Sequence, residues 1–470
     1  MTMAKKSISA DDQKQLRQFF EETPSVSRLL TTLRSRRVGQ GYKIETGDEE
    51  THPITGRKMK QERGPLAFAS TEQVVPLSPV EQAILCWAAL GPNGMVNDDV
   101  AIHGGFHEVT WFSGRTAAGA GNSLATDLIV INDNGVFLYN PGKDREKRVE
   151  IEGPEDYWKV LNWFQTGTQR ILDTRPAIDW ALRAPAAPHA SLFGPYQYNV
   201  NRPGTVWLIP ITDMGGFYFS VLLTLFDVWH LYPLDDATGQ PAGVAKWIRE
   251  GQLEMPVAIS SLEKLAFQVE TYPAGATVQN IRLAAEAIGL GAWIFCGFFD
   301  DILMGAHPDI TKGFGFKCEP LNPKAPAAMG ALKIFGLEGV KEGTYVPSPR
   351  YKNGAEVIKR VLDEKYGRGA SLADDESNWV LTHGGPFKPE VIRQIAKDPA
   401  VRVSDWAVEA SIAYVDYCVE KYGQCPVYNN SLECNFGAVV HHLDTAFYEQ
   451  FYSGSAIPTQ VKEHMQKWHE

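Results

Sequence analysis

The stretch that decides the fold is Ala274-Gly275-Ala276-Thr277-Val278-Gln279-Asn280-Ile281-Arg282-Leu283-Ala284-Ala285-Glu286-Ala287-Ile288-Gly289-Leu290-Gly291, followed at once by Ala292-Trp293-Ile294-Phe295-Cys296. From Ala276 to Ile288, the side chains of Val278, Ile281, Ala285 and Ile288 share one helical face, while Asn280, Arg282 and Glu286 fall elsewhere, so an amphipathic helix is predicted. Gly289-Leu290-Gly291 supplies the stop, because glycine enters the left-handed conformation that closes a helix. The apolar run that follows reads as a buried strand, giving a helix, tight turn and strand unit.

Working outward, Leu128-Ile129-Val130-Ile131, the turn Asn132-Asp133-Asn134-Gly135 and Val136-Phe137-Leu138-Tyr139 predict a hairpin, with Asn-Gly as its local signal. After Leu77, Ser-Pro-Val-Glu offers an N-cap, a first-turn proline and a capping-box acid, and Ala83, Ile84, Trp87 and Ala88 continue at helical spacing as far as Gly91-Pro92. Ala10 to Leu33 reads as two helical pieces broken at Pro24. Roughly residues 150–255, aromatic-rich with proline-rich joints, read as an insertion. The core is expected within residues 1–352, followed by a mainly helical C-terminal appendage at 353–470, with helices around Pro389–Ala396, Ser404–Lys421 and Ala438–Phe451.

Composition narrows the function. The chain has 470 residues and a formal charge of -11, with no sustained basic stripe, so no nucleic-acid partner is expected. Six scattered cysteines without a CxxC suit reduced thiols and a cytoplasmic setting. The N-terminus lacks the apolar region of a signal peptide and is expected to be mature as written. Phe217 to Trp229, with Asp227 inside it, is too short and too polar for a membrane span.

Several separated segments together resemble the nitroreductase-like FMN-dependent oxidoreductases, closest in pattern to the azoline (thiazole/oxazole) dehydrogenase branch. Leu33-Arg34-Ser35-Arg36-Arg37-Val38 resembles that family's arginine-rich entry segment, with Val38 where a serine is usual. Ser113 to Gly121 resembles its small-residue loop, and the 274–291 stretch its central helix and Gly-Leu-Gly turn. Ile294-Phe295-Cys296-Gly297-Phe298 falls where the family sets a backbone amide against flavin N5, and Val346 to Lys352 resembles a closing basic segment centred on Arg350.

The resemblance implies an α+β, three-layer nitroreductase-like fold, an antiparallel-rich sheet flanked by helices. It implies FMN held by Arg34, Ser35, Arg36, Arg37, Ala118, Gly119, Gly291, Cys296, Gly297 and Arg350, in a homodimer whose seam includes Val278 to Ile288. Flavin N5 is then the reactive atom, and no protein acid or base is named as catalytic. A donor such as NAD(P)H would reduce FMN before an electron-poor small molecule (nitro, quinone, activated alkene or halogenated aromatic) accepts the electrons. The alternatives are an oxygen-linked biosynthetic dehydrogenase and an FMN-holding interaction protein with little turnover. The Lys-Tyr pair of azoline dehydrogenases is absent, since Ser260-Ser261-Leu262 stands there. No metal site is expected: His103 and His107 lack a completing acid, and His441-His442 read first as packing, second as a substrate wall and third as a metal site.

Overall fold

The structure is a computed structural model, and it describes all residues except 1–7, 55, 57, 96–101, 104–112, 120–124, 142–149, 178–199, 299, 307, 309–311, 321–331, 384–386, 435, 454–456 and 470. His107, Ala120, Gly121, Trp180, Tyr196 and Tyr198 thus lie outside the described residues.

The chain is mixed α and β around a seven-stranded sheet: β1 (Thr126–Asn132), β2 (Gly135–Tyr139), β3 (Thr168–Leu172), β4 (Val206–Asp213), β5 (Gly291–Phe295), β6 (Leu432–Glu433) and β7 (Gly437–His441). The order is β5-β7-β4-β1-β2-β3, with β6 also on β4. Every pairing is antiparallel. The predicted hairpin forms as β1 and β2, with Asn132 opposite Gly135 and Gly135 at φ 127°, a region that disfavours any side chain.

Both sheet faces are covered, which is why the strands read as continuous apolar runs rather than as alternating ones. Leu128, Val130, Leu208, Ala292, Ala438 and Val440 pack in one cluster with residues of the helices Pro79–Leu90 and Ile259–Ile288. Ile129, Ile131, Trp207, Ile209, Trp293 and Val439 belong to the opposite face, against Leu303, Met304, Phe314, Phe316 and Ile334. The helix Pro79–Leu90 begins with the predicted capping box: Ser78 Oγ accepts from the Glu81 amide at 3.2 Å, and the Glu81 carboxylate accepts from the Ser78 amide at 2.5 Å.

The central helix is longer than its sequence pattern suggests. It spans Ile259–Ile288 with Pro273 inside it, and ends on Gly289 at φ 93°. Its first half is held by tertiary packing: Ile259, Leu262 and Ala266 join a second core with residues of the helices Met214–Asp227 and Asp405–Tyr422. Burial there offsets the roughly 3 kcal/mol that an interior proline costs.

Two expected boundaries do not divide the sheet. Residues of the expected insertion supply β3 and the central strand β4, and the segment after residue 352 supplies β6 and β7. The helix expected over Ala438–Phe451 is instead β7 followed by the shorter helix Thr445–Phe451. All six cysteines are free thiols. No helix among the described residues is long and apolar enough to cross a membrane.

Candidate functional site

The arginine segment lies along the C-terminal part of the chain. Gly39 bridges Leu443, the Asp444 amide donates to the Val38 carbonyl at 3.1 Å, and the Val38 amide donates to the Tyr448 hydroxyl at 3.0 Å. Tyr448 and Asp444 therefore fix where the arginines emerge. Nothing local in the sequence links Tyr448 to a position 410 residues earlier.

The arginines then diverge. Arg36 turns inward and pairs with Glu286 of the central helix at 2.6 Å, with both side chains at least 97% buried (relative exposures of 3% and 2%). Its charge is thus already matched by a carboxylate of the chain itself. Arg34, Ser35 and Arg37 are exposed. Arg34 donates to the Leu33 carbonyl at 2.9 Å, and the Arg37 guanidinium lies 4.8 Å from the centre of the Trp293 ring. Among the described residues neither cation has an acidic partner, so both remain available to an anion.

Trp293 belongs to β5, which ends the sheet, so one side of its backbone pairs with no other strand among the described residues. Gly291 is buried at its start, where an added Cβ would lie 3.0 Å from the Arg36 carbonyl oxygen and 2.8 Å from His441 Cε1. Gly291 is thus a packing requirement. Ile294 and Cys296 are exposed on this end of the sheet, and Gly297 is half-buried.

The small-residue loop also reaches the central helix. Asn280 Nδ2 donates to the Thr116 carbonyl at 2.8 Å, just before exposed Ala118 and half-buried Gly119. Asn280 lies six positions before Glu286, about 9 Å along the axis. The arginine segment, the loop, the second half of the helix and β5 therefore converge.

Arg350 does not join them. It pairs with Glu342 at 2.8 Å, and Glu342 lies opposite Gly336 in a separate three-stranded sheet. A Cβ on Gly336 would touch Leu432, which pairs with Asp213 at the C-terminal end of β4. Arg36 sits at the other end, since Gly291 pairs with His441 beside the start of β4. Eight strand residues, roughly 25 Å, separate the two ends.

One face of the expected dimer seam is turned inward. Val278, Ile281, Ala285 and Ile288 are at most 2% exposed and lie in the chain's own core, so only the other face of this stretch, with half-buried Gln279, Asn280, Arg282 and Leu283, could meet a partner. His441 is buried as well, and burial pushes its imidazole down to about 4. His442 is buried and turned toward Glu81 rather than toward the β5 edge. Its companions are His464 and His469, two residues that sequence reading passed over.

No protein-family model matches this chain, and no curated protein matches it. Among solved structures, a Ralstonia eutropha protein described as a nitroreductase is similar over 59% of this chain and 72% of its own, at 14% identity and a TM-score of 0.24. At that overlap the likeness carries no argument about activity, which rests on the residues themselves.

Proposed function

We propose that the chain is an FMN-dependent oxidoreductase with a nitroreductase-like core, acting as a homodimer on a small electron-poor substrate. The observation that carries this reading is the end strand β5, which follows the central helix directly and has the exposed Arg37 over its Trp293 ring, with exposed Ser35 and Arg34 two and three positions away in the same segment. Two unneutralised guanidinium groups and a hydroxyl suit a phosphate. Ile294 offers apolar surface to a planar ring, and the backbone at Cys296 and Gly297 offers amide donors beyond the strand. When bound, FMN supplies hydride and electron transfer at its N5 atom. The protein holds and orients it, and a donor such as NAD(P)H provides the electrons.

Arg36 and Arg350 leave the proposed ligand set, which yields a discriminating test. Arg37→Ala removes a charge-assisted contact of about 1.5–3 kcal/mol and is expected to weaken FMN binding by about tenfold or more, whereas Arg350→Ala leaves it unchanged. Flavin absorbance and fluorescence titration measure both, and NAD(P)H oxidation with added quinone or nitroarene reads the activity. A folded protein that carries no flavin and binds no added FMN at micromolar concentration ends this reading.

A further inference from the structure

Three histidines from two C-terminal segments meet one carboxylate oxygen of Glu81, at least 361 positions earlier in the sequence. Glu81 Oε1 lies 3.1 Å from His442 Nε2, 2.9 Å from His464 Nε2 and 3.1 Å from His469 Nε2. All four ligand-type atoms fall within 4.8 Å of one another. Glu81, His442 and His464 are buried, and His469 closes the group from its more open side.

The proton inventory shows what the centre lacks. His442 Nδ1 faces the Val75 carbonyl at 2.7 Å, and His464 Nδ1 faces the Ile288 carbonyl at 2.6 Å. A carbonyl only accepts, so each Nδ1 carries the hydrogen, and in a neutral imidazole the Nε2 atom then presents a lone pair. These lone pairs point at a carboxylate oxygen, another acceptor, and His464 Nε2 has no hydrogen-bond partner. Acceptors facing acceptors in a buried space are reconciled by a second proton on a ring or by a metal ion between them, and four ligand-type atoms within 4.8 Å of one another favour the ion.

The surroundings are those of a metal site. Metal-bound histidines usually donate their second ring nitrogen to a backbone carbonyl, which fixes the tautomer and the ring orientation, and two of the three do so here. The carboxylate is held as well, because Glu81 Oε2 accepts from the Ser78 amide in the capping box. In a tetrahedral zinc site with bonds of about 2.05 Å the ligand atoms stand about 3.3 Å apart, close to the three distances from Glu81 Oε1.

We propose that Glu81, His442, His464 and His469 form a four-coordinate site for a divalent transition ion of the zinc type. Three nitrogens and one oxygen from the protein leave no open position, which marks the site as structural. It clips the C-terminal helix His464–His469 and the end of β7 to the start of the helix Pro79–Leu90, beside the close of the central helix. The inference does not depend on the flavin.

The test uses the full chain, stripped with a chelator and titrated with Zn²⁺ alone, with Co²⁺ as a spectroscopic substitute. One equivalent of Zn²⁺ per chain, a rise in melting temperature and a tetrahedral Co²⁺ absorption band are expected. His469→Ala changes the least buried ligand, so the fold should survive while affinity falls by at least tenfold; the exposed control His103→Ala should bind like the parent. Less than a tenth of an equivalent bound at micromolar Zn²⁺, or equal binding by the parent and His469→Ala, overturns the site. Should His469→Ala fail to fold, stoichiometry and the melting shift of the parent decide the matter alone.

Discussion

Arg36 and Glu286 bring opposite charges into a space that water does not reach, and the value of that pair depends on which half is removed. Deleting one partner leaves a buried charge uncompensated, at about 3–5 kcal/mol, whereas replacing both with apolar side chains of similar size is often neutral. Arg36→Ala is therefore expected to lower stability by that amount in urea unfolding, and Arg36→Met with Glu286→Leu to recover most of it. A single variant as stable as the parent would show that the pair contributes nothing. At this scale the sequence is legible where residue type is enough and silent where direction matters. The cluster of three arginines pointed to an anion site, but only the fold shows that one turns inward toward a partner 250 positions away. The Glu81 centre was invisible for the same reason: Glu81 reads locally as a capping-box acid, and His442 lies 361 residues beyond it.

Elements whose signals are local were readable: the Asn-Gly turn between β1 and β2, the capping box at Ser78, the break at Pro24 and the glycine close of the central helix. Elements defined by distant pairing were not. Val439-Val440-His441 stands too close to the 445–451 helical pattern to announce a separate strand, yet β7 lies between β5 and β4. β4 was read as part of an insertion for a similar reason, since its neighbours β1 and β7 come from opposite directions along the chain. This placement predicts the result of truncation after Lys352. Removing β7 would separate β5 from β4 by two strand spacings, about 10 Å, and leave the free edges of both without hydrogen-bond partners. The truncated chain is expected to aggregate or to lose cooperative melting in circular dichroism. A soluble fragment with a sharp transition would mean that β7 is dispensable to the sheet.

At the scale of the whole molecule, the remaining matter is which surface two copies would share. The face containing Val278 and Ile288 is committed to the core, but the central helix exposes another stripe, with Leu265 at 41% and Tyr272 at 63%, seven positions apart and so close in angle around the helix axis. The helix Val26–Thr32 packs on the central helix and exposes Val26 at 61% and Leu30 at 57%. Ile294 on the free edge of the sheet adds 41%. Large exposed apolar side chains on these elements are candidates for an interaction surface. On the homodimer proposed above, a second copy is the occupant these exposed side chains would meet. Leu30→Glu combined with Tyr272→Glu is accordingly expected to give a monomer by analytical ultracentrifugation at about 10 µM, with a melting temperature near the parent's but weaker FMN retention. The substitutions lie outside the chain's own core, so a change in assembly without a change in fold is the informative result. A parent protein that is itself monomeric at that concentration, or a double variant that still dimerises, removes this surface from the interface.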